Sequence, residues 1–162
     1  MDTEWIKNLA RLNTPKESDR DRNRSILKEK LLLEWAGFMP RLYQEVCQAC
    51  EVFNMHNVTQ KEIKIIPLQA GGSHAAVGFI LIYSGTQLKI EQKDYRAEVY
   101  LIKVSGFRRF QKRVHLIEPK IDSLGGIFWI MDKKSFMTYE LLVKRLLVDL
   151  CHYAKELDTG KY

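Results

Sequence analysis

Apolar positions recur at helical spacing through the first third of the chain, alternate with polar ones through the middle, and return to helical spacing at the end. Trp5, Ile6, Leu9 and Leu12 predict a short amphipathic helix over Thr3 to Leu12. Thr14-Pro15-Lys16-Glu17 then reads as a capping box, with Thr at the N-cap, Pro at the first helical position and Glu three residues on. The polar run from Lys16 to Ser25 carries interleaved charges of both signs, which suits either the solvated start of the next helix or a linker; the helix is the favoured reading. From Ile26 onward Leu27, Leu31, Leu32, Trp35, Met39, Leu42, Val46, Cys50 and Phe53 form one stripe along about seven helical turns. Gly37 and Pro40 interrupt that stripe and predict a kink or short break, because proline lacks a backbone donor and crowds the preceding turn. Asn54 and Asn57 supply the stop.

The centre of the chain reads as strands. Segments Glu62 to Leu68, Ala75 to Tyr83, Gln87 to Glu91, Ala97 to Val104, Phe107 to Ile117 and Ile127 to Met131 are separated by turn-forming residues. Ser84-Gly85 and Ser105-Gly106 are two-residue hairpin turns on this reading. The first turn sets Leu81 against Leu88 and Phe79 against Ile90, with Gln87, Lys89 and Glu91 on the opposite face. The second sets Leu101 against Phe110, Ala97 against Val114, Glu98 against Arg113 and Lys103 against Arg108. A closing helix over Thr138 to Leu157 places Leu142, Val143, Leu146, Leu147, Leu150, Ala154 and Leu157 on one side. Glu140, Lys144, Arg145, Asp149 and Lys155 fall opposite.

The expected architecture is therefore α+β. A short helix and a long kinked one precede an antiparallel meander of four to six strands, and a final helix packs with the long helix on one sheet face. One domain over 1–162 is expected, with 1–13 semi-detached and 14–25 a polar helix start or linker. The 46% hydrophobic content suits a globular chain, and the longest apolar runs, Phe79 to Tyr83 and Ile127 to Met131, are far short of a membrane span. The acidic start Met1-Asp2-Thr3-Glu4 lacks a signal-peptide pattern, and three cysteines do not make a disulfide framework, so a cytoplasmic protein without membrane contact is expected.

Charge changes the picture by its placement. Residues 1–60 hold nine basic and nine acidic side chains, whereas 61–162 hold 17 and 11, which is the whole net +6. Lys103, Arg108, Arg109, Lys112 and Arg113 cluster without an intervening acid. Arg109, Gln111, Arg113 and His115 alternate along one expected face beside Tyr100, a basic surface with an aromatic neighbour that suits nucleic acid. The competing reading is an edge strand whose cations discourage sheet-to-sheet aggregation.

Other chemistry is sparse. Cys47-Gln48-Ala49-Cys50 is a C-x-x-C late in a helix, flanked by Glu45 and Glu51, which oppose a thiolate. As a zinc site it would enlist Cys151 and His152, with His56 a further candidate ligand, but both cysteines equally suit the apolar stripe. The glycine-rich loop Ala70 to His74 leads into a strand and has no lysine, unlike a phosphate cradle. His56, His74, His115 and His152 belong to no recognisable catalytic constellation, and no cofactor is implied. The expected function is a non-enzymatic protein-interaction or assembly module, bound to another protein or to its own copy. Trp5, Ile6 and Leu9 are the expected contact residues, and the large aromatics Trp5, Trp35, Phe38 and Trp129 supply a surplus of apolar surface. Nucleic-acid binding by the hairpin Lys103 to Arg113 is the alternative, and a small-ligand or zinc-binding protein the third.

Overall fold

The computed structural model describes residues 3–13, 17–69 and 76–158. Helix α1 spans Glu4–Asn13 and α2 spans Glu17–His56. Seven strands follow among the described residues: β1 (Lys64–Gln69), β2 (Ala76–Tyr83), β3 (Thr86–Lys93), β4 (Arg96–Ser105), β5 (Arg108–Ile121), β6 (Ile127–Met131) and β7 (Ser135–Met137). Helix α3 (Tyr139–Asp158) closes the chain. The strands lie in sequence order in one antiparallel sheet, so each strand pairs with its neighbours in the chain. The class is α+β, as expected, with one strand more than the upper expectation. No described helix is long and apolar enough to cross a membrane.

Helix α2 begins at Glu17, so its polar start is helical. Residues Thr14 to Lys16, which carry most of the capping box, and the loop Ala70 to His74 lie outside the described residues. No break occurs at Gly37 or Pro40: the helix continues past both, and both are exposed. The missing donor of Pro40 costs one turn-to-turn hydrogen bond, while buried Phe38, Met39 and Leu42 hold the helix on the sheet around it. Two side chains fasten it to the strand region, one near its middle and one near its C-terminal end. Trp35 Nε1 donates to the Asp94 carbonyl at 2.5 Å in the β3–β4 turn. Asn54 makes paired hydrogen bonds with the backbone of Ile63, at 3.0 and 2.8 Å.

The core lies between the inner sheet face and the two helices. Phe38, Met39, Leu42 and Val46 of α2 and Leu142, Leu146 and Leu150 of α3 meet Phe79, Leu81, Leu88, Ile90, Val99 and Ile117. Trp35, Phe38 and Trp129 belong to this core, with Phe38 4.8 Å from Trp35 and 4.5 Å from Trp129 between ring centres. The expected aromatic surplus thus shrinks, since three of the four large rings fill the interior.

The first expected register holds: Leu81 pairs with Leu88 and Phe79 with Ile90, and Ser84 and Gly85 both adopt positive φ, 51° and 81°. Two positive φ values in succession are the signature of a type I′ hairpin turn. The second register is different. The reversal falls at Gly106-Phe107, with Ser105 paired to Arg108, Lys103 to Phe110 and Leu101 to Lys112. Lys103 and Arg108 therefore do not face each other. Gly106 takes a φ of 59°, and glycine at the first central position is what a II′-type reversal requires. Further along, Tyr100 pairs with Arg113 but Val99 pairs with His115, so Val114 is an extra residue in β5. This bulge moves Ala97 opposite Ile117 and Glu98 opposite Leu116, and it turns the rest of β5 over.

Candidate functional site

The N-terminal part of the molecule is a helical arm. Between residues 20 and 34 of α2 every side chain is exposed except half-buried Leu31. One side of this stretch approaches the β5–β6 loop: Lys30 Nζ donates to the Gly125 carbonyl at 2.9 Å, and Leu27 lies beside Gly125. Ile26 and Leu33, seven residues apart, lie at four- and three-residue steps on either side of Lys30 and are nonetheless open, Leu33 at 76% exposure. Neither belongs to the stripe expected from the sequence. Their heptad spacing was the available signal. The N-terminal stretch of that stripe is itself incompletely covered, with Leu27 and Leu32 exposed. On α1, Trp5 (62%), Ile6 and Leu9 are exposed as expected, and Lys7 pairs with Glu4 at 3.2 Å on the same helix.

The second surface is the β4–β5 hairpin. Beyond Ile102 strand β4 has no partner on its β3 side, and residues 108–113 of β5 pair only with β4. The tip is thus a two-stranded ribbon. Fully exposed Phe107 caps it, with Phe110 and Val104 exposed behind. The pairing divides the five predicted cations between two faces. Arg109 and Arg113 share one with Gln111 and Tyr100, while Lys103, Arg108 and Lys112 share the other with Phe110. Glu98, almost fully buried, accepts a hydrogen bond from the Tyr100 hydroxyl and ion pairs from Lys93 (3.2 Å), Arg96 (3.2 Å) and, more loosely, Arg113 (3.8 Å). The Tyr100 bond, with the cations behind it, holds the Glu98 carboxyl below its ordinary value against the opposing effect of burial. Lys103 is shifted down by burial and by Lys112, with Glu156 of α3 acting the other way. Arg108, Arg109 and Lys112 have no ion-pair partner among the described residues.

His115 does not join this basic face. The bulge at Val114 turns it inward, where it is buried between two carboxylates. Its Nε2 lies 2.5 Å from Asp149 Oδ2 on α3, and its Nδ1 lies 2.7 Å from Asp132 Oδ2 in the β6–β7 turn. Asp132 also accepts from the Leu116 backbone at 2.8 Å, and Arg145 Nε reaches Asp149 at 3.3 Å. Asp149, placed by helical spacing on the polar side of α3, is therefore a buried residue. The Asp149 hydrogen bond, then that of Asp132, raises the His115 pKa above its ordinary value despite burial. Both ring nitrogens facing carboxylates favours the imidazolium with both N–H groups donating, which leaves no nitrogen to act as a base. This is a latch joining β5, the β6–β7 turn and α3.

The four residues of the expected zinc set are not brought together. Cys50 is buried in the core, Cys47 and Cys151 are half-buried, and exposed His152 pairs with Glu156 at 2.9 Å one turn along α3. Burial, with Cys47 nearby, pushes the Cys50 thiol up to about 11, and burial also raises Cys151. A raised thiol is a poor metal ligand, because the thiolate does the binding. Among the described residues no group of three or more His, Cys, Asp or Glu side chains is arranged to hold a metal ion.

The chain matches no protein-family model, and neither a curated protein nor a solved structure matches it at significance.

Proposed function

We propose that this protein is a non-enzymatic interaction and assembly module that associates with a second copy of itself through its helical arm. The supporting observation is the open apolar side of α1 and of the first half of α2, where Trp5, Ile6, Leu9, Ile26 and Leu33 lie uncovered while the sheet core is closed. Patches of this kind mark interfaces. Charge permits a like partner here, because residues 1–34 hold eight basic and seven acidic side chains and two arms meet with little net repulsion. Light scattering over a concentration series tests the reading: mass is expected to rise with concentration, and Ile26→Glu with Leu33→Glu is expected to yield a monomer of unchanged helix content. A wild-type chain that stays monomeric throughout, and that recovers no partner in affinity purification, ends the proposal.

A second reading is favoured by one specific feature, the aromatic rings of Phe107 and Phe110 set beside Arg108, Arg109 and Lys112 at the hairpin tip. Rings that stack on bases beside side chains that neutralise phosphates are the working parts of single-strand binders.

A further inference from the structure

A cleft of about 820 Å³ runs between α2 and the β6–β7 edge of the sheet. Its α2 wall extends from Glu34 to Val52, about 27 Å at ~1.5 Å per residue. Strand β7 forms the opposite lip and pairs only with β6, so its other side presents backbone groups that no strand engages. Phe136 is exposed on that lip, and Met137 points into the core beside Trp129. The rim carries Glu34, Glu45 and Glu140 against a single cation, Arg41, whose guanidinium already lies 4.3 Å from the centre of the Tyr139 ring. The cleft is acidic in a chain whose net charge is +6.

We propose that this cleft binds an extended basic segment of a partner protein, which adds to β7 as an eighth strand and directs its lysine or arginine side chains at Glu34, Glu45 and Glu140. A free strand edge facing a helix provides main-chain hydrogen bonding on one side and side-chain selection on the other, the two components of strand-addition recognition. The available length suits about eight residues at ~3.3 Å each. The acidic rim acts beyond the surface: Glu34 and Glu45 help raise the Tyr139 pKa, after burial and against Arg41. Net charge works against such a ligand, so its binding requires the local field. The site touches the helical arm only at Glu34, and the two proposals are tested by different variants and different readouts.

The test uses the full chain with two fluorescent peptides of about eight residues, one alternating lysine with valine and phenylalanine, the other with glutamate in place of lysine. The lysine peptide is expected to raise anisotropy and to slow amide exchange at Ser135–Met137, while the glutamate peptide does neither. Glu45→Gln with Glu140→Gln, the first half-buried and the second exposed in the first turn of α3, removes two of the three rim charges without reversing either, and is expected to weaken binding about tenfold, with the fold and self-association preserved. Val52→Arg, on the exposed α2 wall, is a second variant expected to weaken it. Equal binding of both peptides, insensitivity to these variants, or binding without protection at β7 overturns the proposal.

Discussion

His115 holds a carboxylate at each ring nitrogen, and this arrangement makes the fold sensitive to pH in a defined direction. Its folded-state pKa is raised, whereas in an unfolded chain it titrates near ~6.5. The stabilisation is therefore complete below about 6.5 and is lost as pH rises through the folded value. The wild-type melting temperature is expected to fall from mildly acidic to alkaline pH by more than that of His115→Gln, which has no proton to lose at this position. Asp149→Asn removes the charge that faces Nε2 and is expected to cost roughly 1–3 kcal/mol at mildly acidic pH. Identical pH profiles for wild type and His115→Gln, measured by thermal melts, contradict the latch. None of this was legible in the sequence. Strict alternation sets His115 beside Arg113, and helical spacing sets Asp149 beside Arg145. Only the extra residue Val114, which no local signal announces, brings the two together.

At the scale of elements, what could be read was what local chemistry decides. The long helix, the closing helix and the Ser84-Gly85 reversal follow from periodicity and from glycine in a turn that needs positive φ. The β4–β5 reversal was misplaced by one residue because Ser-Gly and Gly-Phe offer the same glycine to two turn types. Strand β7 was missed because its turn, Asp132-Lys133-Lys134, lacks glycine and instead places Asp132 and Lys133 at positive φ. Helix α2 shows how tertiary packing overrides a local breaker. Gly37 sits in its interior with open space where a Cβ would be, and without positive φ. Gly37→Ala is therefore expected to stabilise the protein by about 1 kcal/mol, since alanine loses less backbone freedom on entering a helix. In a two-state thermal melt this amounts to a rise of about 2–4 °C. No rise, or a fall, indicates that the glycine serves a contact or a bend.

Across the whole molecule, charge and apolar surface are sorted to different places. The arm is close to neutral and exposes apolar side chains, the cleft beside β7 is acidic, and a cluster of cations lies on a ribbon that projects beyond the sheet. Composition revealed the basic cluster, yet the sequence did not mark Phe107 as its apex, because that depends on where the chain reverses. Glu98 answers Arg113, Lys93 and Arg96, which leaves Arg108, Arg109 and Lys112 to meet an outside anion. If this tip binds single-stranded nucleic acid through about three phosphates, the logarithm of affinity falls against the logarithm of salt concentration with a slope of about −2. Arg108→Glu with Arg109→Glu is expected to flatten that slope, and Phe107→Ala to weaken binding at all salt concentrations while leaving the slope in place, because stacking releases no counterions. Fluorescence titration of a labelled oligonucleotide at several salt concentrations separates the two effects. A slope unmoved by the arginine reversals means the ribbon does not carry the phosphates, and its cations then act only to keep an exposed strand edge from pairing with a neighbour.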